Sequence, residues 1–372
     1  MKSRYLVNVF ASALLSIPTL GLAAELKVVT SFSVLNDLVQ EVGGEHISLT
    51  NLVEANGDAH VYQPSPMDAQ AVAEADLLVV NGLGFEGWME RLEQSAGFKG
   101  VKIAATDGVN LIHLGEEDEH HEEEGHHDED EHHDEEGHHD EDEHHDEKGH
   151  HDEDEHHDEE GHHDEKGHHD EDGHHDEEEH HDDEEEHHAD EHHHHHGEFD
   201  PHAWHSVTNV LVYVENIRAA LVKLAPEHAA EFNQNAKDYV KELKALEKDL
   251  AQKMSQVPEN KRNVITSHDA FGYLAREYGF NFTAPQGMST EAEASAADVV
   301  KIIKQIRKDD IQAVFVEKVS NSRLIEQIAR ETGAKIGGEL YADALSSPNQ
   351  AAGTYIKMME HNISTLVKAL SN

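Results

Sequence analysis

The sequence predicts an α/β protein built as two parallel-sheet lobes joined by a long rigid helix, with a cleft between the lobes and a disordered His-rich insert. Three observations predict it. Short apolar runs alternate with stretches of helical periodicity both before residue 116 and after residue 258, the pattern of strands and crossover helices in parallel sheets. Between these blocks, about Glu227 to Val257 forms one long amphipathic segment with Tyr239, Leu243, Leu246 and Leu250 on one stripe. Ahead of it, Glu116 to Gly197 is a low-complexity tract in which His pairs recur every six residues, from His120-His121 to His180-His181, before closing on the run His192 to His196.

In chain order, residues 1–23 read as a secretory signal: Lys2 and Arg4, an apolar run from Val9 to Leu22, then the small residues Ala23 and Ala24. The run is interrupted by Ser12, Ser16, Pro18 and Thr19 and is too short for a membrane span, so cleavage near Ala23 and a periplasmic location are expected. Residues 24–115 form the N-terminal lobe. Its strands are Lys27–Thr30, Ile47–Leu52, Leu77–Val80 and Val101–Ala104, with helices over Val34–Val39, stopped by Gly43-Gly44, and Met67–Ala75. Residues 116–197 are the insert, with no aromatic and almost no aliphatic side chain to offset the entropy of ordering. Residues 198–226 return to the first lobe with a helix over Val207–Leu224, and 227–257 link the lobes; thirty residues of helix would span about 45 Å. Residues 258–372 form the C-terminal lobe. Strands Asn263–Thr266, Phe280–Ala284, Ala313–Glu317 and Lys335–Gly338 alternate there with helices Ala270–Tyr278, Ala296–Arg307 and Ser322–Thr332, before a terminal helix Tyr355–Leu370.

Composition removes several classes of function. The chain has no cysteine, which excludes disulfides, thiolate metal sites, a cysteine nucleophile and lipid attachment at an N-terminal Cys. The net charge of −51 belongs mostly to the insert: of 79 acidic and 28 basic residues, 43 and two lie between Glu116 and Gly197, leaving 36 and 26 elsewhere. That balance is ordinary for a soluble fold and provides no clustered Lys and Arg for nucleic acid. A monomer is expected.

Eight histidines stand outside the insert: His46, His60, His113, His202, His205, His228, His268 and His361. His60 lies in a loop beyond a strand, in Gly57-Asp-Ala-His-Val-Tyr-Gln-Pro-Ser-Pro66; His202 lies in Phe199-Asp-Pro-His-Ala-Trp204; His268 follows the strand ending at Thr266. Ligands of parallel sheets bind at the carboxyl ends of strands, so these three are placed to converge. Three neutral imidazoles leave a tetrahedral zinc one donor short, and Asp343, just after the last strand, is the carboxylate best placed to complete it. A single such histidine is more often only a satisfied polar residue. Asp269 and Tyr62 are candidates to orient a ligating imidazole, His205 is a reserve ligand, and Glu86 is an outer or surface carboxylate. Asn81-Gly-Leu-Gly84 reads as a tight turn rather than a dinucleotide loop.

Five fragments in order, Gly57-Asp-Ala-His-x-Tyr-x-Pro-Ser-Pro66, Asn81-Gly-Leu-Gly-Phe-Glu86 with Trp88, Asp200-Pro-His-x-Trp204, Thr266-Ser-His-Asp-Ala-Phe-Gly-Tyr273 and Tyr341-x-Asp-x-Leu345, resemble the metal-binding proteins of ABC importers typified by ZnuA, which include manganese-binding relatives. The resemblance covers nearly the whole mature chain. It implies metal held between the lobes by His60, His202, His268 and Asp343, and a membrane permease as partner. Manganese-binding relatives often carry Glu at the third position; imidazole there favours zinc as the transported ion, with manganese the alternative. Some zinc members carry Glu where this chain has Ala59, which leaves the fourth position to Asp343 or a water. The insert also has precedent among zinc members and is expected to collect zinc weakly for the cleft.

A zinc hydrolase would need an open metal position and a general base, but the His-Glu-x-x-His helix is absent and Asp343 would close the shell, so no enzyme is expected. A zinc buffer acting through the insert alone leaves the ordered motifs unexplained. Because protons compete for imidazole, affinity is expected to fall below about pH 6.5.

Overall fold

A computed structural model describes residues 25–114 and 197–371. The signal segment expected at 1–23 and the insert expected at 116–197, apart from Gly197, lie outside the described residues. Everything described belongs to one compact unit.

The N-terminal lobe runs β1 (Leu26–Phe32), α1 (Ser33–Gly43), β2 (Ile47–Val53), α2 (Pro66–Glu74), β3 (Leu77–Val80), α3 (Met89–Ala96) and β4 (Val101–Ala104). After the insert come α4 (Val207–Leu224) and α5 (Ala229–Met254), then β5 (Asn263–Ile265), α6 (Gly272–Tyr278), β6 (Asn281–Thr283), α7 (Ala296–Lys308), β7 (Ala313–Glu317), α8 (Ser322–Thr332), β8 (Lys335–Leu340) and α9 (Tyr355–Leu370). The two sheets repeat one topology, β2-β1-β3-β4 and β6-β5-β7-β8, with every pairing parallel. In each, strand order reverses beside the first strand, and the crevice at that reversal is where such sheets bind ligands.

Local chemistry sets the ends of these elements. The loop that follows β2 stops at a capping box: Ser65 Oγ accepts from the Asp68 N–H at 3.3 Å, Asp68 Oδ2 accepts from the Ser65 N–H at 2.6 Å, and Pro66 opens α2. The linking helix is shorter than its sequence suggests. Pro226 starts a 3₁₀ turn through His228, so α5 begins at Ala229 and its 26 residues span about 39 Å. Helix α3 was not expected; its eight residues are too few for a clear period, although Gly97, at φ 63°, marks its end.

Helix α5 packs against α1 and α4 of the N-terminal lobe and against α9 of the C-terminal lobe. Its stripe of Phe232, Tyr239, Leu243, Leu246 and Leu250 is buried, each such side chain contributing about 1.5–3 kcal/mol. One continuous core runs from Val28 and Leu35 through this stripe to Phe271, Tyr341 and Met358, so both lobes share it. A smaller core of Ile265, Ile302, Ile306, Val314, Ile325 and Ile328 lies within the C-terminal lobe. No helix among the described residues is long and apolar enough to cross a membrane.

Candidate metal centre

His60, His202, His268 and Asp343 come together, each offering one ligand-type atom within 4.8 Å of the others. His60 comes from the loop after β2, His202 from the turn before α4, His268 from beyond β5, and Asp343 from beyond β8. Asp343 is the hub: its carboxylate lies 3.1 Å from His268 Nε2, 3.5 Å from His202 Nε2 and 3.6 Å from His60 Nε2. The side chains of His202, His268 and Asp343 are fully buried, and that of His60 is 4% exposed. Apart from these contacts among themselves, none of the three Nε2 atoms and neither Asp343 oxygen has a hydrogen-bond partner. Buried polar atoms left unpaired are costly, so five of them gathered together make this a candidate cation site.

The opposite face of two rings is fixed by carboxylates. Asp200 Oδ1 accepts from the His202 N–H at 2.9 Å and lies 2.9 Å from His202 Nδ1. Glu317 accepts from the Ser267 N–H at 2.8 Å and the His268 N–H at 3.0 Å, and its second oxygen pairs with His268 Nδ1. These contacts orient Nε2 toward Asp343. Topology explains the second pair, because β5 and β7 are neighbours at the strand reversal and deliver His268 and Glu317 side by side. A methyl group on Gly272 would meet Asp200 Oδ2 at 2.6 Å, so a larger residue there would displace this carboxylate.

The Asn81–Glu86 segment is a turn, as expected, with Gly82, Leu83 and Gly84 all at positive φ. Glu86 is a buried brace rather than an outer carboxylate, accepting from the N–H groups of Asn81 at 2.7 Å and Gly82 at 3.2 Å and from Ser31 Oγ at 2.5 Å. Asn81 then donates to the Pro201 carbonyl at 2.9 Å, positioning the His202 turn. Trp88 Nε1 donates to the Ala59 carbonyl at 2.7 Å and pins the His60 loop, while Phe85 lies edge-on to His60 at 4.7 Å.

Three further side chains stand apart from the roles expected of them. Tyr62 donates to Asp68 instead of a ligating ring, because the capping box holds Asp68 beside it. Asp269 makes no hydrogen bond to an imidazole; Asp200 and Glu317 do that work. His205 is fully buried against Phe271, outside the group of four.

Electrostatics separate the four candidate donors. Burial pushes His60 down to about 3, Asp343 offsetting it only in part. For His268, burial also opposes charge, yet Glu317 and Asp343 hold it well above its ordinary value. Asp343 is held below the usual carboxylate range despite its burial, chiefly by His268.

With this geometry in hand, the ZnuA family, described as the periplasmic component A of a zinc-uptake complex, matches residues 28–369. The chain belongs to the ZnuA family. It is accordingly a metal-binding, substrate-binding protein of an ABC importer, working with a membrane permease, and not an enzyme. It is similar to the manganese-binding lipoprotein MntA of Halalkalibacterium halodurans, 28% identical over 93% of this chain and 89% of that one. The iron-binding protein YfeA of Yersinia pestis is likewise 28% identical, over 93% and 86%. Among solved structures, a Mn-bound periplasmic metal-binding protein from Candidatus Liberibacter asiaticus superposes with a TM-score of 0.65 at 26% identity, covering 92% of this chain and 98% of the other. The periplasmic zinc-binding protein TroA of Treponema pallidum shares the fold, with a TM-score of 0.69 at 24% identity over 93% and 99%.

Proposed function

We propose that this ZnuA-family chain captures zinc at His60, His202, His268 and Asp343 and delivers it to the importer's permease. The observation that carries the reading is the convergence of three buried imidazole nitrogens on one buried carboxylate, none of them with a hydrogen-bond partner outside the group. Three nitrogens and one oxygen suit zinc, whereas manganese prefers a larger share of oxygen donors. Manganese is the second reading, favoured by relatives named for that metal.

Capture ties the lobes together, because His60 and His202 come from the first lobe and its return segment while His268 and Asp343 come from the second. Thr290 Oγ1 donates to Asp58 Oδ2 at 2.7 Å across the same mouth, and Asp58 Oδ1 accepts from the His60 N–H at 2.9 Å. Release to the permease therefore requires this contact to break. In this reading residues 1–23 are removed on export to the periplasm, and the insert at 116–197 gathers zinc at weak, exchangeable sites of imidazole and carboxylate.

The test is zinc accumulation by cells whose own binding protein is replaced by this chain or by its His60→Ala variant, in zinc-poor medium. The native chain should restore accumulation and the variant should not, at equal protein levels. Normal zinc uptake with the variant, or a defect confined to manganese, overturns the proposal.

A further inference from the structure

The strand that leads to the His60 loop begins beside a second group of metal-type donors. His46 ends the short 3₁₀ turn Gly44–His46 ahead of β2, His228 ends the turn ahead of α5, and Glu231 lies in the first turn of α5. Because β2 has seven residues and a strand rises about 3.3 Å per residue, this group lies roughly 20 Å along the strand from the loop that carries His60, at the opposite end of the sheet.

The corner is held firmly. Asn235 Nδ2 donates to the Val42 carbonyl at 3.1 Å, and Gly44, at φ 57°, brings the chain against the Asn235 amide. The His46 and His228 rings stack at 4.1 Å, with 18° between their planes, on the buried ring of Phe232, 6.1 Å from each. Glu231, in the first turn of α5, stands three residues after His228, the residue that caps that helix. Donor atoms of all three side chains lie within 4.8 Å of one another. Among the described residues, none of the three side chains has a hydrogen-bond or ion-pair partner.

We propose that His46, His228 and Glu231 form a second site for a zinc-type divalent ion, separate from the cleft. Two imidazoles and a carboxylate are a zinc-type donor set, and water would fill the remaining position. Zinc–nitrogen bonds of about 2.0–2.1 Å require the donors to draw closer than they stand, which turns the stacked rings toward one point. The two rings are half-buried and Glu231 is exposed, so the side chains can close over a fixed backbone. An open three-donor site in contact with solvent exchanges its ion more readily than a buried four-donor cleft, and so fills at higher free zinc.

The test is histidine carbethoxylation by diethyl pyrocarbonate on the full chain, read peptide by peptide by mass spectrometry under buffered free zinc. Peptide resolution keeps these two histidines distinct from those of the insert. His46 and His228 should lose reactivity together over one range of zinc concentration, while His361, half-buried and outside both groups, stays reactive. Glu231→Gln should raise the zinc needed for that protection by about tenfold, leaving both reactivities unchanged without zinc. The proposal is overturned if both histidines stay reactive up to about 1 mM zinc, the weak end of specific affinity, if only one is protected, or if Glu231→Gln changes nothing.

Discussion

Glu317 does more for the cleft than its position outside the donor set suggests. It accepts two backbone N–H groups and the Nδ1 proton of His268, and with Asp343 it raises that imidazole well above its ordinary value. An ion arriving at metal-free His268 therefore competes with a proton held more tightly than on an ordinary histidine. Below the raised value, affinity should fall about tenfold per pH unit for the one proton displaced. The decline thus starts above pH 6.5, higher than an ordinary histidine gives. Glu317→Gln keeps an acceptor but removes the charge; it should weaken zinc binding by about 10- to 100-fold and shift the decline to lower pH. Calorimetric titration in two buffers of different ionisation enthalpy counts the released proton, and an affinity flat from about pH 7.5 to 5.5 would contradict the account. The three histidines were legible in sequence because each follows a strand or a turn in a recognisable fragment. Glu317 left only a faint trace, an acidic residue closing the apolar run Ala-Val-Phe-Val, because its role depends on the neighbouring strand to which the sheet pairs it.

At the scale of elements, α1 and α9 meet where the lobes join. Asp37 of α1 accepts from the Tyr355 N–H at 2.8 Å, at the first residue of α9, and burial pushes its carboxyl up to about 6, the Tyr355 N–H offsetting part of the rise. Since the folded value lies above the ordinary value near 3.9, the ionised group disfavours the folded state at pH 7. That penalty fades as the pH falls through 6 and is gone below about 4. Asparagine keeps an acceptor without the charge. Asp37→Asn should therefore be more stable than the native chain at pH 7, by up to about 3 kcal/mol, with the gap narrowing toward about pH 5. Urea unfolding at both pH values checks this; equal stability of the two proteins throughout would refute it. Most elements were readable from apolar period alone. The start of α5 moved because Pro226 admits a 3₁₀ turn first, and α3 was missed because one face of eight residues gives too few repeats to recognise.

On the scale of the whole molecule, two copies of one sheet topology share a core along α5 and place their strand ends around one group of donors. The alternation of strands and helices disclosed the two lobes, while the low-complexity tract at 116–197 lies, apart from Gly197, outside the described residues. The sequence already pointed to the four donors; what it withheld was their arrangement, in which the carboxylate of Asp343 lies 3.1 to 3.6 Å from all three Nε2 atoms, because such distances are a property of the assembled lobes. The central claim is that this hub holds zinc in preference to manganese. Competitive titration of the two ions tests it most directly, in the full chain and in a chain without residues 116–197, each with its His268→Ala counterpart. The account predicts tight one-to-one zinc binding in the shortened chain, preferred over manganese and lost on removing His268. Stronger binding of manganese, or zinc binding indifferent to His268, would contradict it.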